Sequence, residues 1–461
     1  MVSAEKDLVL RTLDRRAVVC NGTTRRDVLR MGSLGALGLG CGLADLQARP
    51  AAGATGSFGQ ARSVIFISLF GGPAHQDMFD MKPDAPAEVR GEFAPINSSV
   101  SGTSVCEYLP HLAKLAHLYT QVRSVNHADN GHATGLYTLH TGWPHPRPNS
   151  PAAAAPTDYP PYGSVMSLIK PPTKPVLSYV QVGGMQGASG IGQVGGFLGR
   201  RWEPLVIQQD AHEPDFDVPE LMPSENVPAV RLARRRSLLQ QVNDLAFHQE
   251  AHHKKSGFST LQQRAFEMLS STQFLSAFDI DREDTKVRDA YGRNAEGQNL
   301  LLARRLAEAG VPAIQVTWHR LGTWDTHGNN FNSLKGQLLP RFDHCLAALL
   351  ADLEQRGMLD QTLVVVYGEF GRTPKINAKA GRDHWASCYT ALLAGGGVRR
   401  GEVFGASDKN AAYPLSNAVG PWDVGATALF CAGVDHHAEY LDPQNRPVRV
   451  GRGEPIQGIL L

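Results

Sequence analysis

The chain has no long apolar run. Across 461 residues, no uncharged hydrophobic stretch reaches the roughly 18 residues that a membrane-spanning helix needs. This argues against an integral membrane protein with a transmembrane span. An excess of either charge is also missing, because Lys and Arg number 45 and Asp and Glu 44, for a net charge of +1. A surface that neutralises nucleic-acid phosphates carries a basic excess, so no nucleic-acid partner is expected. Cysteine is scarce, six in all, and no C-x-x-C pair occurs, which excludes a zinc ribbon and a thioredoxin-type motif. Cys106, Cys345, Cys388 and Cys431 are widely spaced. An oxidising compartment would allow them one or two disulfides, but a chain this long does not need any, and burial as small apolar residues is expected. Gly 47 and Pro 29 are together about 16% of the chain, below the level of low-complexity disorder. Length alone allows about three domains, or one large α/β domain with insertions.

The first specific signal is N-terminal. Arg25-Arg26, within residues 24–30, precedes the uncharged residues 31–43, which are Met, Gly, Ser, Leu, Ala and Cys. That length matches a signal-peptide hydrophobic region, and the paired arginines before it resemble a twin-arginine export signal over residues 1–48. The expectation is a periplasmic or secreted protein handled by the twin-arginine (Tat) machinery, with cleavage near Ala48. Leu39-Gly40-Cys41 is a weaker match to a lipid-attachment site, so an anchor at Cys41 is the less favoured alternative.

Residues 63–70 (SVIFISLF) are nearly all apolar and stop at Gly71-Gly72-Pro73. Such a run, bounded by turn residues, reads as a buried strand of a parallel sheet. Similar runs occupy 118–125, 175–182, 311–318 and 362–367, with helical periodicity at 303–309 and 338–356. The alternation predicts an α/β fold with a doubly wound, mostly parallel sheet flanked by helices, in one domain over 60–461. Ligands in such folds lie beyond the C-terminal ends of the strands. Polar residues collect there: His75, Asp77 and Asp80 after the first run, and His127, Asp129 and His132 after the second. His319, Asp325 and His327 follow the fourth, and Glu369 the fifth. Residues 185–293 are charged and Pro-interrupted, with amphipathic patterns at 229–253 and 259–278 that predict a helical cap or insertion. His248 and His252 are spaced to clamp a metal, but they lack the His-Glu-x-x-His order and sit among solvated residues.

Three segments concentrate metal-type ligands in tight turns: Trp324-Asp325-Thr326-His327-Gly328, Gly368-Glu369-Phe370-Gly371-Arg372-Thr373-Pro374, and Gly381-Arg382-Asp383-His384-Trp385. With Phe70-Gly71-Gly72 and the stretch from Asp77 to Pro83, they resemble the secreted bacterial family called domain of unknown function 1501. That family looks like a branch of the alkaline phosphatase and sulfatase superfamily of metal-dependent hydrolases. The resemblance implies a phosphate or sulfate ester hydrolase acting on a small anionic ester or a sulfated or phosphorylated saccharide. A catalytically degenerate metal-binding member that holds a ligand, polysaccharide or partner is the alternative.

The superfamily's site carries over unevenly. Asp325, His327 and His384 fit one metal site, with zinc the first expectation and Mn, Mg or Ca also admissible. The second site would take an Asp where this chain has Gly71, and an Asp-His pair where it has Glu369-Phe370. Glu369 and Asp383 remain usable ligands, and His75 or Asp77 is expected to reach back towards the gap. At the nucleophile position stands His132 rather than a hydroxyl or thiol. Three chemistries follow: His132 as a ligand or covalent acceptor, Thr134 as the alkoxide, or attack by metal-bound water. Arg372 and Arg382 are expected to hold the anionic group.

Overall fold

The strand β1 (Ser63–Ser68) is buried along its whole length, and its alternate side chains feed two separate cores. Ile65 and Ile67 enter one, Val64 and Phe66 the other. A strand covered on both faces must be apolar on both, which is why its sequence is a continuous run rather than an alternation. The computed structural model describes residues 56–187, 189–218, 221, 268–269, 271–318 and 323–461.

Among the described residues, seven further strands join the sheet: β2 (Tyr119–Val125), β3 (Tyr179–Val182), β4 (Leu205–Ile207), β5 (Ala313–Thr317), β6 (Thr362–Tyr367), β7 (Tyr389–Ala394) and β8 (Val403–Phe404). Their order across the sheet is β8-β2-β7-β6-β1-β5-β3-β4. β1 lies between β5 and β6, in register through Val64 with Ala313 and Leu363, and all three are parallel. Only β7 runs against its neighbours β2 and β6. Each of the five strands expected from the sequence is present within a few residues of its predicted span.

Helices cover both faces. α3 (Ala295–Ala309) and α4 (Leu339–Gln355) pack on one, through Leu300, Leu306, Leu346 and Leu353. α1 (His132–Thr141), α2 (Tyr162–Ile169) and α5 (Pro421–Cys431) pack on the other, through Leu136, Val165 and Leu429. The result is the three-layer α/β arrangement that the strand and helix alternation predicts.

Segment 185–293 is described only in part. Its described part supplies the edge strand β4, and Val218, Phe274 and Ile280 enter the first core. The helix expected over 229–253, with His248 and His252, lies outside the described residues, as do His319 and residues 1–48. Within 259–278, the helix Thr272–Ser276 is described. Cys106, Cys345, Cys388 and Cys431 are all free and buried, and burial pushes each thiol up to about 12. No helix among the described residues is long and apolar enough to cross a membrane.

Candidate metal centre

The site forms where β1, β2, β5 and β6 end. β1 runs into Gly71, whose φ is +115°, and a Cβ there would lie 2.4 Å from the Asp325 nitrogen. Only glycine combines that backbone with so close an approach, so the position where the superfamily resemblance implies an aspartate is here a backbone contact. The Gly71 N–H donates to Glu369 Oε1 at 2.9 Å, and its carbonyl accepts from Arg372. A two-residue antiparallel pair, Gly371–Arg372 with His384–Trp385, places Arg372 opposite His384. Gly381 passes so close to His327 that a Cβ would sit 2.1 Å from its carbonyl. These contacts bring the end of β1, the loop after β5 and the turn after β6 to one point.

Three imidazoles surround the Asp325 carboxylate. Nε2 of His384 and of His327 lie 3.0 Å and 3.1 Å from Oδ1, and Nε2 of His132 lies 3.2 Å from Oδ2. Each ring is held from behind. His132 Nδ1 is 2.7 Å from Glu369 Oε1, His327 Nδ1 is 2.7 Å from Asp383 Oδ1, and His384 Nδ1 is 2.7 Å from the Asn130 carbonyl. Carboxylate and carbonyl oxygens only accept, so each Nδ1 carries a proton, and each Nε2 faces Asp325 either as the second N–H of a charged ring or as a lone pair. Lone pairs facing a carboxylate repel unless protons or a cation lie among them. Nε2 of His327 and of His384 are also 3.0 Å apart, near the roughly 3.3 Å between two ligands of a tetrahedral zinc ion with Zn–N about 2.0–2.1 Å. The donor set therefore fits a divalent cation.

Protons on these rings serve the same end as a cation. Burial alone would raise the Asp325 carboxyl, but His132, His384 and Arg372 hold it well below the usual carboxylate range. Burial would likewise lower the His132 imidazole, yet hydrogen bonds to Asp325 and Glu369 outweigh it and push the ring up to about 9. Asp383, more than half exposed, is lowered first by its bond to His327. A cation and a proton compete for the same nitrogens, so binding will depend on pH.

The structure brings together Asp325, His327, His384 and His132, with Glu369 and Asp383 one step behind as partners of imidazoles rather than as members of the inner group. Other expected residues are engaged elsewhere. Asp77 and Arg382 form a fully buried bidentate pair, both contacts at 2.7 Å, and Asn330 adds a third hydrogen bond to Asp77. Neither is left to meet a metal or an anion, because their desolvated charges are spent on each other. His75 turns Nε2 to the Ala411 carbonyl at 3.0 Å, and burial lowers its imidazole. Arg372 is buried too, bonding the Gly71, Gly72 and Arg382 carbonyls and Asp325, so it braces the site instead of presenting a free guanidinium. Thr134 is fully buried and donates its hydroxyl to Asp129 at 2.8 Å. It is no exposed alkoxide.

Two contributors escaped the sequence reading. Asn130 holds His384 with its carbonyl and the Ala386 N–H with its side chain. Phe370 packs against the rings of His132 and His384, with centroids 5.0 Å and 4.4 Å away. Backbone acceptors leave no residue-type signal, and an aromatic residue in a ligand position reads only as a lost ligand. Among the described residues one other group has ligand-like spacing, His436, His437 and Glu454.

Fold and site together define an α/β protein with a carboxylate and imidazole centre at the C-terminal edge of a mostly parallel sheet. The chain belongs to the family described as protein of unknown function (DUF1501), which matches residues 61–460. No curated protein matches it. Similar solved structures include a phosphonate monoester hydrolase from Silicibacter pomeroyi, at 13% identity and a TM-score of 0.40, covering 86% of this chain and 76% of that one. An alkaline phosphatase from the Antarctic bacterium TAB5 has 13% identity and a TM-score of 0.34, covering 77% and 96%. The PsFucS1 sulfatase from Pseudoalteromonas sp. has 12% identity and a TM-score of 0.32, covering 88% and 71%.

Proposed function

We propose that the protein is a periplasmic, metal-dependent hydrolase of phosphate or sulfate esters. The observation that carries this reading is the set of imidazoles with occupied Nδ1 atoms and Nε2 atoms gathered at one carboxylate. Asp325, His327 and His384 would hold the ion, with zinc the first choice and Mn, Mg or Ca the alternatives. When bound, such an ion polarises an ester oxygen and lowers the pKa of a coordinated water. The chain's own residues set the frame for that chemistry. Asp383 and the Asn130 carbonyl fix two rings, Arg372 offsets part of the Asp325 charge, and Phe370 excludes water from one side.

A second reading is a member of the family that keeps the ion without turnover and binds a ligand, polysaccharide or partner. The buried, bonded Thr134 hydroxyl favours it, since the loop offers no hydroxyl nucleophile. Metal analysis of the purified chain, with a panel of aryl phosphate and sulfate esters, decides. The expected result is a bound divalent ion and turnover that chelation abolishes and one metal restores. Bound metal with every ester inert would establish the second reading instead, and a chain that binds no divalent ion would overturn both.

Export by the twin-arginine route belongs to the same proposal and rests on Arg25-Arg26. Changing both to Lys is expected to strand the precursor in the cytoplasm. Normal export of that variant would remove the signal assignment.

A further inference from the structure

The imidazole of His132 stands where the superfamily resemblance implies a hydroxyl nucleophile, at the first residue of α1. Its Nε2 faces Asp325 Oδ2 at 3.2 Å, and its Nδ1 faces Glu369 Oε1 at 2.7 Å. Ligand atoms of His132, Asp325 and His384 all lie within 4.8 Å of one another. We propose that His132 is itself a ligand of the ion, its ring set by Glu369, and that hydrolysis therefore proceeds by one direct displacement by water with no ester of the enzyme. This rests on the metal centre proposed above.

Three features separate this role from a nucleophile or general base. First, His132 repeats the arrangement of His327 and His384, with Nδ1 on an oxygen acceptor behind and Nε2 turned inward, the way metal-bound imidazoles are oriented by an outer partner. Second, that partner is itself held. Glu369 is buried, takes the Gly71 N–H at 2.9 Å, and lies so close to α1 that a Cβ on Gly135 would be 3.3 Å from its own Cβ. Third, the His132 ring packs against both Phe70 and Phe370, with centroids 5.3 Å and 5.0 Å away, in the orientation that puts Nε2 on Asp325. An attacking base needs its free nitrogen towards substrate. This one is turned towards the other ligands.

The displacement balances without a co-reactant. A water oxygen forms the new bond to phosphorus or sulfur as the bond to the alcohol oxygen breaks. One water proton ends on the departing alcohol, and the other stays with the acid product.

The test uses the purified chain carrying His437→Ala, so that the His436, His437 and Glu454 group adds no metal signal, titrated with Co(II) and with Zn(II) after chelation. His132→Ala in that background is expected to weaken binding by more than the roughly 10- to 100-fold that loss of an outer partner costs, and to change the Co(II) visible absorption. Glu369→Gln keeps an oxygen acceptor but not its charge, and is expected to weaken binding within that range. Circular dichroism of each metal-free variant checks folding. With an added alcohol as competing acceptor, the parent chain is expected to yield free phosphate or sulfate and no transferred ester. Unchanged affinity and spectrum in His132→Ala would overturn the ligand assignment while leaving the hydrolase reading intact. Transfer to the alcohol would overturn the single displacement. Metal binding lost in His132→Ala, with every ester inert in the parent, would keep the ligand and remove the hydrolase.

Discussion

Arg382 has no free donor to spare for a substrate, and its substitution should act on stability alone. Its guanidinium is spent on Asp77 and on the carbonyls of Val89, Thr373 and Pro374. Arg382→Met is expected to cost about 3–5 kcal/mol in urea denaturation by stranding a buried carboxylate, and Asp77→Asn with Arg382→Met should cost less than Arg382→Met alone. A double variant no more stable than the single one would show that the pair is not the reason. Gly71 makes a second case. Gly71→Ala would have to adopt φ +115° and push against Asp325 N, so a loss of at least about 1–3 kcal/mol is expected together with weaker metal binding. Both residues were visible in the sequence, one as an anion-holding arginine and one as a lost ligand. Residue type alone could not say that the arginine already has a carboxylate and the glycine a backbone neighbour.

At the scale of elements, the five expected strands were legible because burial on both faces demands unbroken apolar runs. β7 was not singled out, although Tyr389–Ala394 is such a run, and its antiparallel direction is not encoded in hydrophobic periodicity at all. Direction follows from which connection the chain can close. α1 begins at His132, after Gly131 as its cap, with no side-chain cap bond. The entry to this helix is held instead by Asp129, whose Oδ1 accepts from the Gly131 and Asn149 N–H groups and from Thr134 Oγ1. Thr134→Val is therefore expected to cost about 1 kcal/mol and to leave any ester hydrolysis unchanged. Abolished turnover in a folded Thr134→Val protein would return Thr134 to the role of nucleophile.

For the whole molecule, buried neutral histidines set the response to acid. His140 is buried on α1, and burial lowers its imidazole to about 4 against an ordinary 6.5, with Gln186 opposing the shift only in part. Below pH 6.5 the unfolded chain takes up a proton that the folded chain refuses. The stability is thus complete above about 6.5 and is lost as pH falls from there to about 4, at up to about 1.4 kcal/mol per pH unit for this residue. His75 and His127, both lowered by burial, act in the same sense. Urea denaturation between pH 7 and 4.5 should show the decline, and His140→Leu should make it shallower. An unchanged slope in that variant would assign the acid sensitivity to other groups. By itself the sequence determined the layered α/β class, and it offered a sheet edge for a site and Asp325, His327 and His384 as candidate ligands. These follow from apolar runs, turn residues and ligand types, which are local properties of the chain. Only the tertiary structure decided that His132 joins them, that Glu369 and Asp383 stand behind imidazoles, and that Asp77, Arg382 and Thr134 are spent on other partners. Whether a charged or polar side chain is free depends on what the fold packs against it, and those partners lie as far as about 300 residues away along the chain.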